Sequence, residues 1–235
     1  MDRTILQQAQ ALYTDAPWRD RYHVAVRRAL CPFERLAAFV PSTGLIVDLG
    51  CGHGLFANAL ALEAPRRCIV GVELSTRKLL AARATQSAAL TPAPSPAIGR
   101  GETVAGQVHF VQGDLLANPV VGPCRAMLLI DVLYLFTPHQ QEQILCMCSE
   151  RLEPGGVLVL KTMDTLPRWK SALDRLEEWM AVRLFHITLS GRSPLAFRPL
   201  AEWAALCQAM GFETRVVRLD QGYYHPHAAV VGLKR

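Results

Sequence analysis

The chain has 235 residues, 51% of them hydrophobic, and its 25 basic and 20 acidic side chains give a net charge of +5. That is enough apolar material for one sizeable core, and basic pairs such as Arg27–Arg28 and Arg66–Arg67 are too scattered to form a nucleic-acid-binding arm. Seven cysteines with no C-x-x-C argue against a disulfide framework or a cysteine zinc site, and no run of about 18 apolar residues is present to span a membrane.

The opening "MDRTILQQAQALY" lacks the apolar centre of a signal peptide, so a reducing, cytoplasmic setting is expected. The first 40 residues read as helical, with a turn at Pro17. Tyr13, Trp18, Tyr22 and His23 cluster near it, as in a flap over the rest of the chain. "LIVDLG" (45–50) is then a first strand and "LFANALALEA" (55–64) a helix. "RCIVGVEL" (67–74) and "TRKLLAARATQSAAL" (76–90) repeat the pair. "QVHFVQGD" (107–114) is a third strand and "RAMLLIDVL" (125–133) a fourth, followed by a helix from 138 and a fifth strand over 155–163. "ETRVVRL" and "AAVVGLK" close the chain as two strands around a turn at Gly222. Strands alternating with helices at this pitch make a parallel sheet covered on both faces.

Two stretches break the alternation. Residues 91–107 are rich in Pro and Gly and read as a mobile loop, most simply a tolerated insertion. Residues 167–191 read as an inserted helical segment, with Trp169, Leu173, Leu176, Met180, Leu184 and Ile187 at helical spacing. That stripe is either core packing, a cap over a pocket, or a surface for a greasy partner, including peripheral membrane contact.

The first strand runs into Gly50, Gly52 and Gly54 and then a helix. Glycines let a ligand approach the main chain, and the helix start offers unpaired N–H groups. A dinucleotide fingerprint needs its third glycine at position 55, which is Leu55, and Asp48 stands where a pyrophosphate would be repelled. An ammonium or sulfonium ligand would tolerate that carboxylate.

With "VDLGCGHG", Glu73 ending the second strand, Asp114 in "VQGDLL", "LIDVLY" on the fourth strand and "LEPGGVLVLK" before the fifth, the chain resembles class I S-adenosylmethionine-dependent methyltransferases. The ordered set covers residues 45–161. The resemblance implies a single doubly wound α/β domain with a seven-stranded sheet, order 3-2-1-4-5-7-6, strand 7 antiparallel. It implies S-adenosyl-L-methionine as cofactor, lying against Gly50, Cys51, Gly52 and Gly54, with Asp48 holding the amino-acid end. Glu73, with Leu74 beside it, would accept the ribose hydroxyls. Asp114 would accept from the adenine amino group with Leu115 on the ring, and Asp131 would lie near the methyl group. Taken alone, Glu73 reads equally as a cap for the next helix, and Asp114 as a turn residue.

The acceptor is less legible. The tetrad from Asp131 is "DVLY", not the Asp-Pro-Pro-Tyr type of many base and glutamine methyltransferases, and no Pro-Cys nucleophile follows the fourth strand. A small or lipid-like acceptor is therefore expected, with O-methylation favoured and no nucleic acid. The alternatives are a non-catalytic cofactor-binding partner subunit and a nucleic-acid methyltransferase. Tyr13, Trp18, Tyr22, Tyr134, Phe136, Trp169, Tyr223 and Tyr224 are the aromatic candidates for its walls, although residues such as Trp169 and Phe136 more often belong to a core than to a pocket. Tyr134, His225 and Lys161 are the candidates for removing a proton. His225 also reads as a surface histidine, and Lys161 could pair with Asp164 instead. No metal is called for.

Overall fold

The structure, a computed structural model, describes residues 1–89, 107–120, 122–163, 195–223 and 226–235. The 91–107 loop before its last residue, the 167–191 segment with Trp169, and Asp164, Tyr224 and His225 lie outside the described residues.

Three helices lead: α1 (Arg3–Ala11), α2 (Trp18–Leu30) and α3 (Phe33–Ala37). Then come β1 (Gly44–Leu49), α4 (Leu55–Glu63), β2 (Arg67–Glu73), α5 (Thr76–Ala89), β3 (Gln107–Gln112) and β4 (Cys124–Ile130). The chain ends with α6 (Pro138–Arg151), β5 (Leu152–Met163), α7 (Leu200–Ala209), β6 (Phe212–Arg218) and β7 (His227–Lys234). The sheet order is β3-β2-β1-β4-β5-β7-β6, as the sequence leads one to expect. Strands β1 to β5 pair in parallel, and β7 runs antiparallel to both β5 and β6.

The two-residue period of a strand splits the core in two. On one face Ile46, Ile69, Ala126, Leu128 and Val159 pack with Phe33, Phe56, Leu60 and Leu79 from the helices. On the other, Val47, Leu49, Met127, Leu129, Leu158 and Leu160 pack with Ile144, Leu145, Trp203 and Cys207. Because both faces are covered, β1 and β4 are apolar almost throughout, and their carboxyl ends open side by side where the connections diverge to opposite halves of the sheet.

The segment after β4 is fixed by one buried side chain. Gln141 in α6 donates through Nε2 to the carbonyls of Leu133 (3.1 Å), Phe136 (3.1 Å) and Ala196 (2.8 Å). Thr137 and Gln140 cap α6 reciprocally, with Pro138 in its first turn. Tyr134 and Phe136 are thereby held at the mouth of the sheet. Among the described residues no helix is long and apolar enough to cross a membrane.

Candidate active site

A cavity of about 310 Å³ lies at the carboxyl ends of β1, β2 and β4. Its floor is the glycine turn. Gly50 and Cys51 both donate their N–H groups to the carbonyl of Val72, at 2.8 and 3.0 Å, which folds the chain back over β2. The glycines serve two different ends. A Cβ on Gly50 would stand 2.6 Å from Val132 Cγ2, and one on Gly54 would stand 2.4 Å from Phe110 Cζ, so packing alone excludes side chains there. At Gly52 a Cβ would meet nothing within 4 Å, and that glycine lines the cavity with φ +59°. Gly52→Ala is therefore expected to cost only about 1 kcal/mol of stability, from the left-handed backbone. Its methyl would stand in the cavity, so ligand affinity should fall far more than stability. Parallel thermal melts and binding titrations check this.

Acids line the rest of the floor. Glu73 ends β2, and its carboxylate accepts from Gly52 N–H (Oε2, 2.9 Å) and Ser75 N–H (Oε1, 2.8 Å). It tethers the glycine turn to the start of α5 while facing the cavity, and each oxygen keeps a further lone pair. Leu74 lies beside it, also on the cavity wall. Asp114 caps the short helical turn Leu115–Ala117, its Oδ1 accepting from Leu116 N–H at 3.0 Å, and it lines the cavity with Leu115.

Asp48 is 3% exposed and lines the cavity. Burial pushes its carboxyl up to about 7; Arg27 opposes the rise and Glu73 adds to it. A cationic ligand group binds the ionised form. Affinity for such a ligand should accordingly rise with pH through about 7, and binding below that pH should release a proton. In the empty protein the sign is the reverse: a raised carboxyl pKa contributes stability below the ordinary value of 3.8 that is lost as pH climbs to 7. Calorimetry at pH 6 and pH 8, in buffers of different ionisation enthalpy, checks both proton release and trend. Asp48→Asn should flatten the trend.

The opposite wall is α2. Asp20, His23, Val24 and Arg27 fall on one face of this helix at positions i, i+3, i+4 and i+7. The Asp20 carboxylate takes His53 Nε2 of the glycine turn at 2.9 Å and Arg77 of α5. His23 lies against the His53 ring, with centroids 4.7 Å apart. Burial, then His53, Arg27, Lys78 and Arg77, push His23 down to about 3, so it is neutral at ordinary pH. Arg27 Nη1 reaches Asp131 Oδ2 at 2.8 Å. Sequence reasoning passed over Asp20, His53 and Arg27; the spacing along α2 was the available signal.

Asp131 follows β4 with φ +56°, a left-handed conformation rare for a residue with a side chain. Its N–H donates to the carbonyl of Lys161 (3.1 Å), and the Lys161 ammonium bonds its Oδ1. Burial would raise this carboxyl, but Lys161 and Arg27 outweigh it and hold it at about 2. Asp131 lines the cavity; Lys161, 3% exposed, lies behind it and is not on the cavity surface. Its ammonium pairs with Asp131, 30 residues away.

Of the aromatic candidates among the described residues, two reach the cavity. Tyr134 and Phe136 line the cavity, and the Tyr134 ring stacks on Phe197 at 5.0 Å. Tyr13 is buried instead, donating to the His53 carbonyl and accepting from Asn58 Nδ2 at 3.0 Å. Trp18 and Tyr22, 67% and 64% exposed, face solvent from the outer side of α2. Tyr223 lies beside Glu34 and His227, away from the cavity.

Residues 19–217 match the family described as the methyltransferase domain. A malonyl-[acyl-carrier protein] O-methyltransferase of Legionella pneumophila is 46% identical over 54 residues, 23% of this chain and 19% of that protein. An O-methyltransferase family protein from Burkholderia thailandensis superimposes with a TM-score of 0.66 at 18% identity, over 95% of this chain and 61% of that one. Magnesium protoporphyrin IX methyltransferase from Synechocystis PCC 6803, solved with bound SAH, gives a TM-score of 0.64 at 16% identity, over 96% and 92%. The chain thus spans less than two thirds of the Legionella and Burkholderia proteins, and the two structural likenesses establish the fold alone.

Proposed function

The chain belongs to the methyltransferase domain family, and on that premise we propose that it moves a methyl group from S-adenosylmethionine to an oxygen of a small, apolar or aromatic acceptor. The observation that carries this reading is one cavity with two unlike walls: glycines and acids on the floor, Tyr134, Leu135 and Phe136 at the mouth. The donor set fits the cofactor. Gly52 offers bare main chain, Asp48 suits an ammonium, Glu73 suits a diol, and Asp114 with Leu115 suits an amino-bearing ring.

S-adenosylmethionine supplies a methyl group already activated on a cationic sulfur. What remains for the protein is to align the acceptor, exclude water and take up a proton where one is released. The aromatic wall and α2 do the first two. Tyr134 is the candidate proton acceptor at the cavity, and His225 is retained as the second. Lys161 is committed to Asp131 and acts as its counter-ion. A phenol or carboxylic acid arriving ionised would need no base.

The O-methyltransferase name of the Legionella relative supports oxygen as the accepting atom. The test is incubation of the protein with methyl-labelled cofactor and a small-molecule and lipid extract of the source cell, followed by mass identification of the labelled product. A labelled ether or ester of low polarity is the expected result. Saturable cofactor binding with no labelled product across such extracts would favour a cofactor-binding partner subunit, and labelled nucleic acid would overturn the acceptor class.

A further inference from the structure

Helix α2 has two sides. The inner one, with His23, Val24 and Arg27, is a wall of the cavity. On the outer one Trp18, Tyr22, Ala25 and Ala29 follow one another at positions i, i+4, i+7 and i+11, which makes a single apolar stripe along the helix. Among the described residues Trp18 and Tyr22 are the aromatic side chains that stand mostly in solvent. An indole and a phenol ring held one turn apart in water do not stabilise the fold.

The stripe is bordered by positive charge. Arg21 and Arg28 flank it on one side, and Arg19 on the other, its guanidinium carbon 5.5 Å from the Trp18 ring centre. Arg19 and Arg21 are exposed and Arg28 is half-buried. The one acid of the helix, Asp20, is buried on the inner side and bonded to His53 and Arg77. The nearest exposed carboxylate in the sequence is Asp15, before Pro17.

This combination selects the partner. Indole and phenol rings have an apolar body and a polar tip, and the headgroup level of a bilayer accommodates both. Arginines beside them reach headgroup phosphates while their stems lie along apolar material. An aromatic hot spot for a protein partner sits in a packed, desolvated pocket, whereas the side of a helix is convex and suits a yielding surface. The net charge of +5 adds attraction to an anionic one.

We propose that the outer side of α2 docks the protein on an anionic phospholipid surface, with Trp18 and Tyr22 entering the headgroup layer and Arg19, Arg21 and Arg28 bound to its phosphates. The inference goes beyond the methyl-transfer reading. If that reading holds, the helix that walls the cavity also meets the membrane in which apolar acceptors dissolve, but docking itself needs neither cofactor nor turnover.

The test is co-sedimentation of the full chain with vesicles of phosphatidylcholine alone and of phosphatidylcholine mixed with phosphatidylglycerol, at low and at raised salt. The wild type should bind the mixed vesicles, bind phosphatidylcholine alone roughly 10-fold more weakly or worse, and be released by salt. Trp18→Ser/Tyr22→Ser and Arg19→Gln/Arg21→Gln should each weaken binding to the mixed vesicles by roughly 10-fold or more. Both pairs should still melt cooperatively, since all four side chains lie on the surface. If one pair does not fold, the other carries the comparison. Wild type that stays in solution with the mixed vesicles, or binds both kinds alike, overturns the proposal, as does binding unchanged in the folded pairs. So does binding to polyglutamate in place of vesicles, which would give the stripe to an acidic protein. A concentration-dependent dimer of the wild type that Trp18→Ser/Tyr22→Ser disperses would give it to a second copy and equally overturn the proposal.

Discussion

Glu73→Ala is expected to weaken S-adenosylmethionine binding by on the order of 100-fold, the effect of removing hydrogen bonds to a charged acceptor in a partly buried site. The carboxylate does two things at once: it holds Gly52 N–H and Ser75 N–H, fixing the glycine turn against α5, and it faces the cavity where the ribose hydroxyls would donate. Glu73→Gln should do nearly as badly as alanine. One amide oxygen can keep one N–H, but the amide nitrogen then confronts the other, donor against donor. Equilibrium dialysis with labelled cofactor measures both variants. Unchanged affinity in Glu73→Ala would reduce Glu73 to a helix cap, the simpler role its sequence position also permits.

The second large effect is on stability. Lys161→Met removes the ammonium from a buried ion pair and leaves Asp131 with Arg27 alone, which should cost about 3 kcal/mol at pH 7. The sign of its pH dependence follows from Asp131. Its carboxyl is held at about 2 in the folded chain against an ordinary 3.8, so its stabilising contribution is present above 3.8 and is lost as pH falls through about 2. The gap between wild type and variant in urea unfolding should therefore be widest above pH 4 and narrow toward pH 2. A constant gap would mean that Lys161 contributes through packing rather than charge.

Much of this was legible because it is local. Five β-rich runs separated by helical spacing dictate a parallel sheet, and Gly50, Gly52 and Gly54 between β1 and α4 mark the turn within a few residues. The floor of the cavity is therefore readable, although which glycine serves packing and which the cavity is not. Gly50 and Gly54 are constrained by Val132 and Phe110, whose approach only the folded sheet creates. The far wall is a different case. Asp20, His23 and Arg27 look like the solvated face of an amphipathic helix, and their partners His53, Arg77 and Asp131 lie 33, 57 and 104 residues on. Lys161 is a similar case: the parallel pairing of β4 with β5 sets Ile130 beside Lys161 and so brings Asp131 to its ammonium from 30 residues away. Aromatic type says little about direction. Tyr13, Trp18 and Tyr22 share one short stretch, yet one is buried against the glycine turn and two face water.

The measurement that bears most directly on this account is a calorimetric titration of the folded protein with S-adenosylmethionine and with S-adenosylhomocysteine. The account predicts saturable binding of each at one site per chain, weakened together by on the order of 100-fold in Glu73→Ala. Protein that melts cooperatively yet takes up neither compound would contradict it.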